Sequence, residues 1–292
     1  MQEFVYERPE TVADAVAAMR AGDARALAGG TDLVPQLREG RRAAARIVDL
    51  KHVADMMAIS VLPDGGASIG AAACATAVAR HATIAASYPV VARSAQLIGG
   101  VQVQNRASLG GNICNAAPSA DGVPALVCLA AQALIAGPAG TRQMPVEAMF
   151  AGPGRSNLAA GELLVAILLP PAQPRSAAAY LRFTPRREMD IAVAGCGAWL
   201  RLGEDGAIVE ARLVLAAVAP TPVRAVSAER RLVGEHPSAA LFEEAGRLAT
   251  KDARPISDTR GSADFRRTLV AVLTARALAD CGVQLDSEVV VR

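Results

Sequence analysis

Five cysteines and three histidines in 292 residues leave little material for metal or disulfide chemistry. Cys74, Cys114, Cys128, Cys196 and Cys281 are scattered and form no C-x-x-C pair, so they read as buried free thiols of a reducing compartment. His52, His81 and His236 stand far apart with no H-E-x-x-H, which removes the zinc signatures, and nothing is spaced to hold an iron–sulfur cluster on this chain. Neither sign of charge dominates: 30 basic against 28 acidic side chains give +2, far from the basic footprint of a nucleic-acid binder. Long apolar runs are also missing. The most apolar stretch, 123–136, is interrupted by Pro124 and Gln132 and falls short of the roughly 18 residues of a membrane span, so it reads as a buried helix. Glu3, Glu7 and Pro9 stand where an export signal needs a basic and then an apolar stretch, and a cytoplasmic location is expected.

What is present is the composition of a folded chain: 52% apolar and 20% charged residues, enough length for one large domain or two to three small ones. Thr11 with Asp14 three residues later resembles a capping box, and Val12, Ala15, Val16 and Met19 recur at helical spacing until Gly22, predicting a helix over 12–20. Strands are expected at Ala26–Ala28, Ile47–Leu50, Ala67–Ala71 and Glu162–Leu169. Thr76 is placed to cap a short helix and Pro89 to open another. The segment from Gln104 to Asp121, polar and rich in small residues between apolar neighbours, reads as a buried or half-buried loop kept for a ligand. Pro170–Pro174 is the clearest boundary. Beyond it, strands at 179–183, 192–202 and 208–218 and helices near 227–234, 238–251 and 263–281 describe a sheet covered by helices.

Two glycine pairs carry the chemistry. Gly29-Gly30-Thr31 follows a strand, and Ser108-Leu109-Gly110-Gly111-Asn112 repeats the pattern of a hydroxyl beside a glycine pair. Backbone N–H groups uncovered by a Cβ can point at an anion, and two such loops could grip one diphosphate from both sides. Each pair alone is more often a plain tight turn, since glycine is the default turn residue. Neither is a Walker loop or a G-x-G-x-x-G, and there is no G-x-S-x-G or other nucleophile with a partner base. Asp121 is sufficiently explained as a cap on the apolar helix that follows, and Arg182, Arg186 and Arg187, ahead of Glu188 and Asp190, as surface ion pairs. The residues by themselves thus reach a phosphate-containing ligand and stop there.

Five motifs in order, Ala28–Leu33, Asn105–Ile113 with Pro118–Asp121, Gly161–Leu164, Arg186–Ala192 and Ser257–Arg267, closely resemble the FAD-binding medium subunit of the molybdenum hydroxylases, the family of xanthine dehydrogenase and aerobic carbon monoxide dehydrogenase flavoproteins. The resemblance spans nearly the whole chain. It implies an α+β fold: two α/β subdomains of the vanillyl-alcohol-oxidase type, at 1–55 and 56–174, and a C-terminal domain, 175–292, with a small antiparallel sheet and helices. It implies noncovalent FAD held by Ala26, Leu27, Ala28, Gly29, Gly30, Thr31, Asp32 and Leu33 around the pyrophosphate and by Ser108, Gly110, Gly111 and Asn112 at a second phosphate and ribose contact. Asp121 matches an adenosine-side position, and Leu164 and Arg182 match positions lining the isoalloxazine. For Leu164 a core strand position serves as well. Thr31-Asp32 stands where the carbon monoxide enzymes have His-Ser, and no cysteine-rich insertion marks the hydroxybenzoyl-CoA reductase branch.

The activity so implied is electron transfer, with no side chain acting as acid or base. FAD would take electrons from the iron–sulfur clusters of a small two-cluster subunit and deliver them to an external acceptor. A molybdenum cofactor in a large molybdopterin subunit would oxidise the substrate, in a dimer of heterotrimers. The alternatives are a flavin-free docking subunit of the same kind of complex and a free-standing flavin oxidoreductase.

Overall fold

Thr11 Oγ1 accepts the N–H of Asp14 at 3.1 Å and starts the helix Val12–Met19, as its spacing predicts. In the computed structural model, which describes residues 3–187 and 189–290, this helix joins strand β1 (Val5–Glu7) to β2 (Ala24–Leu27), and the helix Leu33–Arg38 joins β2 to β3 (Arg46–Asp49). The three strands are parallel in the order β1-β3-β2. Such β-α-β crossovers put helices against the sheet and leave loops at its carboxyl edge.

A second sheet is antiparallel, in the order β4-β5-β10-β6-β7: β4 (Ile59–Val61), β5 (Ala67–Gly70), β6 (Gln132–Gly137), β7 (Gly140–Pro145) and, after a small hairpin of β8 (Phe150–Gly152) and β9 (Arg155–Ser156), β10 (Leu163–Leu169). The all-apolar β10 lies at its centre. Between β5 and β6 the chain makes six helices, among them Pro89–Gln96, which has proline in its first turn. Past the proline segment, β11 (Ser176–Phe183), β12 (Ala194–Leu202), β13 (Ile208–Ala216) and β14 (Val223–Arg224) form a third, antiparallel sheet. Three helices, Val226–Leu232, Ala239–Ala249 and Ala263–Val290, cover one face of it and enclose a core of their own. The other face sends Tyr180, Trp199 and Val214 into the core shared by the first two sheets. Mixed helix and sheet, with a small antiparallel sheet at the C-terminal end, is the expected α+β fold.

Several local expectations fail for physical reasons. The apolar stretch 123–136 is not one helix: the helix Gly122–Cys128 stops, Ala130 takes a left-handed conformation at φ 55°, and Gln132–Gly137 returns as β6 beside β10. A run that is apolar at nearly every position has no period to read, so pairing decided its conformation. Thr76 does not cap; it lies inside the helix Ala75–Arg80 and donates its hydroxyl to Asn105 at 2.8 Å. The expected loop over 104–121 contains the helix Leu109–Asn115, which Ser108 caps by accepting the Gly111 N–H at 3.0 Å.

The last helix runs past Cys281 to Val290. It is long and apolar enough to cross a membrane by length and composition, but Val270, Leu273, Ala277, Leu278, Cys281 and Leu285 all lie in the second core. Arg266, 4% exposed, reaches back from its first turn: Nη1 donates to the carbonyls of Val193 and Ala217, at 3.0 Å each, and Nη2 to Asp258 at 2.7 Å. The Ser257–Arg267 motif is therefore a clamp that fastens the final helix to the ends of β12 and β13. Arg266→Met leaves two carbonyls without their donor and is expected to cost about 3 kcal/mol. Trp199, the single tryptophan, is buried in β12, so its fluorescence in a urea titration reads this loss directly. An unchanged midpoint would show that the clamp does not hold the domain.

Candidate functional site

β2 and β3 end level, with Leu27 beside Asp49, and the chain leaves the sheet edge through Ala28-Gly29-Gly30-Thr31. Gly30 sits at φ +74°, where a side chain would be strained. Among the described residues, the N–H groups of Gly30, Thr31 and Asp32 have no acceptor within the chain. The second loop lies directly against the first, because a Cβ on Gly29 would run into the carbonyl of Arg106. A Cβ on Gly110 would likewise strike the backbone of Ala71. These two glycines thus serve close approach of chain to chain. Gly111 differs: its added Cβ would meet only Ser108 Oγ, at 3.1 Å.

Together the loops line a cavity of about 1110 Å³, just above the usual range of ligand-pocket volumes. Of the residues singled out in the sequence, Ala26, Ala28, Gly29, Gly30, Thr31, Asp32, Leu33, Ser108, Gly110, Gly111, Asn112, Asp121 and Leu164 line it; Leu27 and Arg182 do not. Leu27 turns beneath the loop to pack with Leu37, Ala44 and Ile47. Asn112 Oδ1 accepts the Gly122 N–H at 3.0 Å and ties the helix Leu109–Asn115, which carries the second glycine pair, to the helix Gly122–Cys128. Burial pushes the Asp32 carboxyl up, against the pull of Arg42.

Asp121 makes no side-chain cap on the helix it precedes. Its carboxylate instead accepts the Tyr180 hydroxyl at 2.9 Å and pairs with Arg182, whose side chain is buried. Tyr180 and Arg182 are two apart on β11, so both face the same way. Gly195 on β12 leaves room for the tyrosine, since a Cβ there would come within 2.9 Å of its hydroxyl. Burial pushes the Asp121 carboxyl up to about 6, against Arg182 and Tyr180, and also raises the Tyr180 phenol. The family resemblance assigned Asp121 and Arg182 to opposite ends of an extended dinucleotide. An ion pair holds the two side by side, with Asp121 on the cavity lining and Arg182 behind it.

The remaining basic run behaves as surface chemistry: Arg186 Nε is 3.5 Å from Asp190, and Glu188 lies outside the described residues. Sequence reasoning missed Met189 and Ile191 on the cavity lining, and Gln36, whose amide reaches Asn115 at 3.4 Å between the two helices. It missed Tyr180 too, although its spacing from Arg182 on a strand was a usable signal. Among the described residues no group of His, Cys, Asp and Glu could hold a metal ion. The arrangement can bind an extended anionic ligand on backbone donors.

Comparison with known proteins agrees. The family described as "FAD binding domain in molybdopterin dehydrogenase" matches residues 2–172, and "CO dehydrogenase flavoprotein C-terminal domain" matches 179–281. The xanthine dehydrogenase FAD-binding subunit of Escherichia coli O157:H7 is 33% identical over 278 residues, 94% of each chain. The carbon monoxide dehydrogenase medium chain of Afipia carboxidovorans is 32% identical, over 94% of this chain and 95% of the other. Among solved structures, a chain of carbon monoxide dehydrogenase from Hydrogenophaga pseudoflava superposes with a TM-score of 0.92 at 28% identity, covering 97% of this chain and 98% of that one.

The glycines separate in a simple experiment. Gly29→Ala is expected to lose about 2 kcal/mol by overpacking, whereas Gly111→Ala should stay within about 1 kcal/mol of wild type in thermal unfolding. Equal losses would mean that the loops do not meet at Gly29. Asp121 gives a pH test. Its carboxyl titrates at about 6 when folded against an ordinary 3.8, so its stabilising share is fully present below about pH 3.8 and lost as pH rises through about 6. Asp121→Asn should flatten the pH dependence of stability across that window, measured by urea titration, and an unaltered profile would assign the dependence elsewhere.

Proposed function

As the chain belongs to the family of FAD-binding domains of molybdopterin dehydrogenases, we propose that it is the electron-transfer flavoprotein subunit of a heteromeric molybdenum hydroxylase. Electrons enter from the iron–sulfur clusters of a small partner and leave to an external acceptor, while substrate is oxidised at a molybdenum cofactor in a large partner. The observation that carries this reading is the convergence on one cavity of two glycine pairs, one on the loop after β2 and one in the first turn of the helix Leu109–Asn115, with free backbone donors on the first. Relatives named medium chain or FAD-binding subunit belong to larger assemblies by those names.

The residues fit FAD. The N–H groups of Gly30, Thr31 and Asp32 and the hydroxyls of Thr31 and Ser108 suit a diphosphate, and Leu164 offers an apolar wall. When bound, FAD supplies the exchange between single-electron and two-electron carriers. The chain's own share is to bind the dinucleotide, orient it, and set the charge at one end through Asp121, Arg182 and Tyr180. No step requires this chain to move a proton between side chains. We divide the chain into 1–55, with the three-stranded sheet, 56–174, with the five-stranded sheet and the β8–β9 hairpin, and 175–292, with the four-stranded sheet, and a dimer of heterotrimers is the assembly we infer. The five cysteines, all unpaired, suit the reducing cytoplasm where we place the complex.

The test is the visible absorption of the purified chain before and after denaturation. Two flavin bands, released into the supernatant as intact FAD, are expected. A folded chain that stays colourless with excess FAD would replace the electron-transfer reading with that of a docking subunit.

A further inference from the structure

The first glycine loop is gripped from outside the cavity by a side chain that belongs to none of the motifs. Lys51 lies in a short turn of helix, Leu50–His52, directly after β3. Its Nζ donates to the carbonyl of Ala28 at 3.0 Å and to the carboxylate of Asp49. Asp49, 2% exposed, also accepts the backbone N–H of Lys51 at 3.1 Å and the hydroxyl of Tyr6 from the edge strand β1, with His52 Nε2 at 3.7 Å. Burial opposes its charge, but the hydrogen bonds from Lys51 and Tyr6 outweigh it and hold the Asp49 carboxyl below its ordinary range. Asp49 is therefore a fixed anion and Lys51 a cation locked upon it, unlike a solvated surface pair.

A trans peptide is planar, with its C=O and the following N–H pointing in opposite directions. Holding the Ala28 carbonyl therefore also sets the direction of the Gly29 N–H. Glycine at 29 would otherwise let this peptide rotate at little cost. Lys51 is not on the cavity lining, whereas Ala28 and Gly29 are. We propose that Lys51, locked by Asp49, is a positioning residue for the dinucleotide's diphosphate: it holds the Ala28–Gly29 peptide with its N–H turned away from Lys51 and toward the cavity. The proposal rests on the reading of this cavity as an FAD site.

The test uses the full chain stripped of flavin and titrated with FAD, and with ADP in competition, because ADP carries the diphosphate without the flavin ring. Lys51→Met should raise Kd for both by the same factor, about tenfold or more, while flavin at saturation keeps the wild-type absorption maxima. Lys51→Arg, which retains donors for Ala28 and Asp49, should remain within about threefold of wild type. If Lys51→Met does not fold, the double variant Asp49→Asn with Lys51→Met removes the buried charge along with its partner, and the same loss is expected from it. Unchanged affinities in the folded variant overturn the proposal. So does a loss for FAD without one for ADP, or one accompanied by shifted flavin bands, since either places the effect elsewhere than on the diphosphate loop. A wild-type chain that binds neither FAD nor ADP overturns the FAD reading itself, and this is read before any variant is made.

Discussion

At Gly29 the loop leaving the first sheet lies against the carbonyl of Arg106 with no space for even one methyl group. The contact joins two pieces of chain far apart in sequence, one leaving the parallel sheet and one in the helical connection between two strands of the antiparallel sheet. Because it is backbone against backbone, neither side can give way by changing a rotamer. The two helix starts beside it, at Leu33 and Leu109, are consequently held in a constant relation, and the cavity between them inherits that rigidity. A binding site for a long, flexible dinucleotide gains from such preorganisation, since less ordering remains to be done when the ligand arrives.

The third sheet is coupled to the cavity by a different kind of interaction. Asp121 is buried, and so is Arg182; each would be costly alone, and each is tolerable because of the other. Tyr180 completes the arrangement from the same face of β11. Burial nevertheless leaves the carboxyl easy to protonate, so the link between the C-terminal unit and the cavity carries a charge that responds to mildly acidic pH. Replacing the pair by apolar residues could hold the sheets together equally well. A charged pair beside a cavity that takes an anionic ligand points to retention for what it does to the ligand.

Much was legible in the sequence. Thr11 with Asp14 and Pro89 each act through local rules that need no partner, and both acted where they stood. The alternation on β11, with Tyr180 and Arg182 on one face, could also have been read. The stretch 123–136 could not, because an apolar run has no period and its choice between helix and strand waited on β10. Thr76 and Asp121 have the residue type of a helix cap, yet their side chains found better partners at Asn105 and at Tyr180 and Arg182.

The sequence by itself determined the sites of chain reversal, the starts of the first helices, the order of strands and helices in the C-terminal region, and the family with its cofactor class. Those properties depend on residues close in the chain, or on motifs whose order survives in one dimension. Tertiary structure alone decided why Gly29 must be glycine, where the charge of Arg182 is spent, and that Lys51 reaches Ala28. Each depends on a contact between segments separated in the chain, and such contacts exist only once the sheets have packed.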